Sequence, residues 1–139
     1  MNWTWLHKLA SPPHAYRIAG RMLPWFAWPA GILLAAGLIG GLVLAPADYL
    51  QGDAFRIVYV HAPAAWLSMS VYATMAVAAA ISLVWRIKLA HAVAAAAAPV
   101  GASFTVLALA TGAIWGKPTW GTWWVWDARL TSELILLFL

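Results

Sequence analysis

The chain has no cysteine among its 139 residues, and it has few charges. Without a thiol it can form neither disulfides nor thiolate-held metal sites, and it has no sulfur nucleophile of its own. Only 9% of the residues are charged and 65% are hydrophobic, whereas about a quarter are charged in soluble domains. A single soluble core of this size could not bury so much apolar surface, so the composition predicts an integral membrane protein.

The sequence also lacks the motifs of several functional classes. Its net charge of +4 is spread thinly and forms no basic stripe, which argues against nucleic acid as a partner. There is no phosphate-binding loop of the Walker type, so ATP hydrolysis is not expected. There is also no Ser/His/Asp grouping and no close pair of outer-face carboxylates that would indicate hydrolysis. We therefore predict that the protein is not an enzyme.

Three long apolar runs and one short run predict transmembrane helices, because a bilayer core of about 30 Å requires roughly 20 residues. The long runs cover about 25–45, 62–84 and 92–114, and the short run is 130–139. Ten residues rise only about 15 Å, so this fourth run is expected to be truncated. The prediction is an all-α polytopic membrane protein, a single membrane domain over 1–139 with three complete spans and an incomplete fourth.

Two prolines are expected near helix starts. Pro29 is predicted to lie within the first turn of the first span, and Pro63 just inside the start of the second. Proline is best tolerated there because its missing N–H would be unbonded in any case.

The charges are distributed unequally between the two sides of these spans. One side has five basic residues and no acid: Lys8, Arg17, Arg21, Arg86 and Lys88. The other side has Arg56, Lys117 and Arg129 with all the acids: Asp48, Asp53, Asp127 and Glu133. The positive-inside rule makes the first side cytoplasmic. The 46–61 and 115–129 loops are then predicted to share the outer, periplasmic face.

The segment from Trp115 to Asp127 has five tryptophans in the thirteen residues WGKPTWGTWWVWD. An aromatic belt at the bilayer interface could explain a few of them. Gly116, Pro118 and Gly121 instead favour a shaped loop that a ligand can approach closely. Indoles can stack on a flat porphyrin, and Lys117 and Arg129 at the two ends of the cluster could pair with its propionates. Asp127 is predicted mainly as the N-cap of the last helix.

Four histidines and one intramembrane acid remain as polar candidates. His61 lies at the outer boundary of the second span, where it could be an axial ligand to haem iron or simply an interfacial polar residue. Glu133 is the acid within an apolar run, and it could bond to a neighbouring helix or pair with Arg129. No chemistry is assigned to the other histidines, which are His7, His14 and His91.

The segment Trp120 to Asp127, followed by Ala-Arg-Leu-Thr, resembles the tryptophan-rich "WWD" signature of haem-handling membrane proteins. Together with Val60 to Trp66 (VHAPAAW), it resembles the haem exporter protein C (CcmC) family of cytochrome c-type biogenesis over almost the whole chain. This resemblance implies six spans in the bacterial inner membrane, with haem held at the periplasmic face between the WWD loop and two histidines. His61 matches the first histidine, and the second would lie beyond Leu139.

The resemblance also implies a ligand, a set of contacts and a set of partners. Haem b would be bound transiently and delivered to the haem chaperone CcmE, together with CcmA, CcmB and CcmD. His61 would be an axial ligand of the haem iron. The residues that would contact haem are His61, Trp115, Trp120, Gly121, Trp123, Trp124, Trp126, Asp127 and Arg129.

Three other interpretations remain open. Cytochrome c synthase-type proteins share the WWD loop, but they are generally longer before the motif. A small transporter subunit would require more polar residues within its spans. A structural subunit with an aromatic belt would tolerate replacement of the tryptophans by other interfacial residues.

Overall fold

The computed structural model describes residues 11–139 of the chain. Helices make up most of this part, and its one β-type pairing is an isolated bridge between Asp48 and Gly52. Three helical segments of 33 residues each are long and apolar enough to cross a membrane. A segment of that length rises about 50 Å, so its ends extend beyond a hydrocarbon core of about 30 Å. The chain is an all-α polytopic membrane protein, as predicted.

The first helix, α1 (Pro12–Ile39), begins at two successive prolines and continues as one π-helical turn over Gly40–Leu44. The helix begins before the predicted span. Its first turns contain the charged residues 17 and 21, so they did not belong to the apolar run on which the prediction was based. The prediction that Pro29 lies in the first turn is wrong, since this proline is well inside the helix. Membrane helices tolerate such prolines because neighbouring groups and small local adjustments compensate for the lost hydrogen bond.

A 3₁₀ turn (Asp53–Ile57) leads into α2 (Val58–Trp85). The prediction that Pro63 lies just inside the helix start is wrong, because α2 begins more than a turn earlier and the 3₁₀ turn precedes it. The chain then reverses through Arg86, which has a left-handed backbone conformation with φ 54°.

Two further helices complete the described part of the chain. These are α3 (Lys88–Trp120) and α4 (Ala128–Phe138), joined by an irregular segment over 121–127. The predicted runs 62–84 and 92–114 lie inside α2 and α3.

Small residues form the interface between α2 and α3. Glycine, alanine, serine and threonine let two helix backbones approach closely, which drives helix association in a bilayer where apolar surfaces gain nothing from avoiding water. The buried residues of the two helices are Ala64, Ser68, Ala78, Gly101, Thr105, Ala108, Gly112 and Gly116. Large apolar side chains face outward instead, for example Trp25 and Leu83, which are 80% and 81% exposed. The described helices therefore leave their large apolar side chains on the outside of the bundle.

The C-terminal end of α1, through its π-helical turn, approaches α2 at one glycine. A Cβ added to Gly41 would lie 2.6 Å from the Cβ of Tyr59, whereas nothing lies within 4 Å of the same position at Gly37. Glycine at position 41 is therefore required for this contact.

Candidate functional site

The imidazole of His61 rests against α3. Its Nδ1 lies 3.0 Å from the carbonyl oxygen of Ala108 and 3.1 Å from Oγ1 of Thr111. A Cβ added to Gly112 would lie 3.1 Å from the imidazole Cε1, so the missing side chain lets the ring come this close. The half-buried histidine is thus held by a short stretch of α3, which we call the imidazole cradle (Ala108, Thr111 and Gly112).

Trp115 lies between His61 and the loop that precedes α2. Its ring makes edge-to-face contacts with His61, at 5.8 Å between centroids, and with Phe55, at 6.4 Å. Its indole Nε1 donates a hydrogen bond of 2.8 Å to Oε1 of Gln51. Trp115 therefore joins the loop before α2 to the imidazole, and the two segments predicted to share the outer face lie at the same end of the bundle.

The prediction of a loop across 115–129 is wrong for its first part, because α3 continues to Trp120. Gly116 is buried, and a Cβ there would lie 3.2 Å from Cε3 of Trp120 and 3.3 Å from the Thr122 carbonyl. This glycine thus permits close packing and does not break the helix. The helix ends instead at Gly121, whose φ of 79° is readily adopted by glycine and reverses the chain.

Two cations lie over tryptophan rings of this segment. Lys117 Nζ is 5.9 Å from the centroid of Trp123 and donates a 3.1 Å hydrogen bond to the carbonyl of Gly121. Arg129 Cζ lies 5.8 Å from the centroid of the Trp120 ring. Both distances are within the range of a cation–π attraction. The two cations therefore hold the ends of the segment in place.

Asp127 is the N-cap of α4, as predicted. Its Oδ1 accepts a 2.8 Å hydrogen bond from the backbone N–H of Leu130, and its Oδ2 accepts one of 2.7 Å from Arg129 Nη2. The backbone N–H of Leu130 and then the Arg129 guanidinium lower the pKa of this carboxyl below its ordinary value of 3.8. The carboxylate is therefore engaged in starting the helix and holding the arginine.

The last three tryptophans of the segment differ in their surroundings. Trp124 and Trp126 contact each other edge to face at 5.4 Å between centroids. Trp126 is 75% exposed and Trp123 57%, whereas the indole N–H of Trp124 is buried and has no hydrogen-bond acceptor among residues 11–139. A buried donor without an acceptor costs about 1–3 kcal/mol. Trp124 is therefore a donor that a bound group could satisfy.

Glu133 bonds to a neighbouring helix, which is one of the two predicted alternatives. Its Oε1 lies 2.6 Å from Oγ of Ser68 on α2, and Ser68 is 1% exposed. The other alternative, an ion pair with Arg129, is not formed, because Arg129 pairs with Asp127. Glu133 thus links α4 to α2 inside the bundle.

The structure brings five of the predicted site residues together around one cavity of about 100 Å³. A larger cavity of about 340 Å³ adjoins it, shares His61 and Arg129, and extends toward Glu133. Trp123, Trp124 and Trp126 do not line either cavity but lie in the adjoining segment. The predicted residues around the smaller cavity are His61, Trp115, Trp120, Asp127 and Arg129.

Sequence reasoning missed four residues that shape this end of the bundle. Gln51 and Ser68 are isolated polar residues, and nothing in the sequence identifies the distant side chains that they contact. Thr111 and Gly112 lie together in an apolar run, where small residues are common. Both residues are spaced from Trp115 as neighbours on one face of a helix. This spacing is the only sequence signal that could have indicated a surface for the imidazole.

The fold and this arrangement define a polytopic helical membrane protein with a histidine and a tryptophan-rich segment at one end of its bundle. The chain belongs to the heme exporter protein C (CcmC) family, whose model matches residues 5–139.

Similar proteins in other organisms have the same description. Heme exporter protein C of Haemophilus influenzae is 61% identical over 99% of this chain, and that of Escherichia coli K12 is 59% identical over 99%. Heme exporter protein C of Paracoccus denitrificans is 46% identical over 93% of this chain. These alignments cover 56%, 56% and 53% of the relatives. The chain thus spans about half the length of the curated relatives it matches.

Proposed function

We propose that this chain holds haem at the outer face of the membrane, as part of haem export for cytochrome c biogenesis. The observation that carries the proposal is the cavity shared by His61, Trp115, Trp120 and Arg129 at one end of the bundle. An imidazole, indole surfaces and a guanidinium are the groups that bind iron, a porphyrin plane and propionates respectively. The family membership of the chain supports the same assignment.

The exposed indoles supply the surface for the porphyrin plane. A volume of about 100 Å³ is well below the roughly 300–1,000 Å³ of small-molecule pockets, so the cavity beside His61 cannot enclose the porphyrin. The ring would instead lie against the mouth of the cavity and the neighbouring segment of Trp120, Trp123, Trp124 and Trp126. The buried Trp124 N–H, which has no acceptor among residues 11–139, and Gly121 are the remaining predicted contacts of this segment.

The chemistry of this site is binding and release, without a catalytic step of the chain's own. His61 supplies a neutral imidazole to the iron of haem b, and a second axial ligand comes from outside the described residues. The haem is held transiently and passed to the haem chaperone CcmE, with CcmA, CcmB and CcmD as the partners of the export system. Binding of haem by ring stacking and by an iron ligand that can be replaced is reversible, and transfer to a chaperone requires reversible binding.

The location that we propose is the bacterial inner membrane, with the N-terminus in the cytoplasm. The described basic residues 17, 21, 86 and 88 lie at one end of the bundle and the tryptophan-rich segment at the other. The positive-inside rule then assigns the haem-holding end to the periplasm.

Haem retention by the full-length protein purified in detergent tests His61. We expect His61→Ala to lose most of the Soret absorbance per protein, because the iron loses a ligand. His91→Ala is the matched control, since this histidine is exposed in the first turn of α3 at the other end of the bundle. An unchanged Soret band in His61→Ala would contradict the assignment of the ligand.

Replacement of Trp120, Trp123 and Trp124 together by leucine tests the indole surface. The expected result is a large loss of bound haem at unchanged protein yield. The control replaces three lipid-facing tryptophans in the same way, Trp25, Trp28 and Trp85, which are all at least 66% exposed. Equal haem retention in both triple variants would mean that the segment is an ordinary interfacial belt.

A further inference from the structure

The hydrogen bonds of His61 identify which ring nitrogen carries the proton. A carbonyl oxygen can only accept, so the 3.0 Å contact from Nδ1 to the Ala108 carbonyl requires a proton on Nδ1. Thr111 leads to the same conclusion. Its hydroxyl has one proton, and the carbonyls of Leu107 at 2.7 Å and Ala108 at 3.2 Å are the acceptors for it, so its oxygen accepts at the 3.1 Å contact with Nδ1. Both neighbours of Nδ1 are therefore acceptors.

We propose that Thr111 is a positioning residue that, with the Ala108 carbonyl, holds His61 in the Nδ1–H tautomer and so presents Nε2 as the iron ligand. This inference rests on the proposed haem-holding function and extends it to a residue that does not touch haem. A neutral imidazole has one protonated nitrogen, so a proton on Nδ1 leaves the lone pair on Nε2. Neither the motif nor His61 itself indicates which nitrogen is available.

Steric contacts in the cradle reinforce these hydrogen bonds. Gly112 lies beside the Cε1–Nδ1 edge of the ring, where an added Cβ would be 3.1 Å from Cε1 and 3.5 Å from Nδ1. Trp115 covers another part of the ring edge to face. The imidazole is consequently confined in both orientation and tautomer, and this lowers the entropy that it loses when it binds iron.

The hydrogen bond also affects the strength of the ligand. A histidine that donates its second N–H to an oxygen acceptor is a more basic ligand, and loss of such a partner commonly weakens metal binding about 10–100-fold. Removal of the Thr111 oxygen leaves the Ala108 carbonyl in place. We therefore expect an effect near the lower end of that range, about tenfold faster haem loss.

The tautomer can be measured without haem. Nitrogen-15 NMR of the full-length protein, with labelled histidine and no haem bound, distinguishes a protonated ring nitrogen from an unprotonated one by chemical shift. The His61 signals, assigned by their loss in His61→Ala, should show a protonated Nδ1 and an unprotonated Nε2. A protonated Nε2 in the neutral ring would overturn the proposal whether or not the protein binds haem.

The role of Thr111 is tested by a set of conservative variants. Thr111→Val keeps the shape of the side chain and removes the hydrogen-bond acceptor. We expect haem transfer from this variant to apomyoglobin to be about tenfold faster. The electron paramagnetic resonance g-values of its ferric haem should also shift. Thr111→Ser keeps the hydroxyl and should restore both. Thr105→Val is the matched control, because Thr105 is also on α3, 2% exposed, and donates to its own i−4 carbonyl at 3.0 Å.

The results of these experiments distinguish a failure of the positioning role of Thr111 from a failure of the proposed haem-holding function. If Thr111→Val transfers haem and shows g-values like the unaltered protein, the positioning role is wrong even though His61→Ala loses the Soret band. If Thr105→Val matches Thr111→Val in both measurements, the effect arises from the helix in general, and the positioning role is again wrong. If His61→Ala keeps its Soret band, the proposed iron ligand is wrong. The NMR measurement of the His61 tautomer is made without haem and is therefore independent of that result.

Discussion

Arg129 contacts two groups at the tryptophan-rich end of the bundle. Its Nε and Nη2 donate to one oxygen of Asp127, and its guanidinium lies over Trp120. A guanidinium has five N–H donors, so three remain for another acceptor. The side chain is 79% exposed, so under the proposed function it could hold Asp127 and a propionate at the same time. Arg129 thus positions the tryptophan segment even before any ligand binds.

A pH-dependent stability follows from Asp127. Its pKa is lowered in the folded chain, mainly by the Leu130 N–H and then by Arg129, so the carboxylate stabilises the start of α4 fully above pH 3.8. This contribution is lost as the pH falls through the lower, folded-state pKa. We expect Asp127→Asn to keep a cap and lose part of the stability, and Asp127→Ala to lose more.

Thermal unfolding in detergent between pH 3 and 7 checks this prediction. The difference between the unaltered protein and Asp127→Asn should be constant near neutral pH and shrink in acid below the ordinary carboxyl pKa. Asp53→Asn is the control, because the Asp53 side chain is 79% exposed and pairs with Arg56 at 3.2 Å. A gap between the unaltered protein and Asp127→Asn that persists unchanged in acid would contradict a role of the charge.

At the scale of elements, α4 is attached to the α2–α3 hairpin by polar contacts as well as apolar ones. Glu133 reaches Ser68 across the interface, and the carboxylate of Asp127 starts the helix. Hydrogen bonds between helices have no competition from water inside the bilayer, although their measured contributions are modest. These contacts fix α4 beside His61, since Leu130 of this helix lines the cavity of the imidazole.

The junction of α1 with α2 gives a prediction at this scale. Gly41→Ala would bring a methyl group within 2.6 Å of the Tyr59 Cβ, so one helix must move, at a cost of about 1–3 kcal/mol. Gly37→Ala, on the same helix with nothing within 4 Å, should have little effect. The melting temperatures of the two variants in detergent test this prediction, and that of Gly41→Ala should be the lower. Equal values would mean that α1 does not pack on Tyr59.

At the scale of the whole molecule, the proposed orientation places the tryptophan-rich end of the bundle and the turn at Arg86 on opposite sides of the membrane. Tyr49 lies in the loop between α1 and α2 and is 91% exposed, whereas His91 lies at the opposite end of the bundle. The proposed orientation therefore predicts different labelling of these two positions in intact cells.

Cysteine labelling measures this orientation, and residues 1–139 contribute no cysteine background. In a full-length protein whose one cysteine is introduced, Tyr49→Cys should react with a membrane-impermeant maleimide on spheroplasts. His91→Cys should react only after the membrane is disrupted. Lysed membranes serve as the control for the reactivity of each position, and the reverse pattern would place the N-terminus and the turn at Arg86 outside.

Several features were predictable because they depend only on local chemistry. Scarcity of charge requires a lipid environment, and apolar runs of sufficient length form helices there. Asp127 was recognisable as an N-cap because the signal lies within four residues of chain. The bounds of the helices were less predictable, since α1 and α3 include charged or glycine-containing turns beyond their apolar runs, Arg17 and Gly116 among them.

Membrane class and the tryptophan-rich segment were thus determined by the sequence itself, through composition and local pattern. The tertiary structure alone decided that Thr111 and Ala108 bond to His61, that Gln51 bonds to Trp115, and that Glu133 bonds to Ser68. These partners are separated by 47 to 65 positions in the chain. Contacts of that kind depend on how closely the helices and the loop before α2 approach one another, which small residues permit but no local pattern specifies.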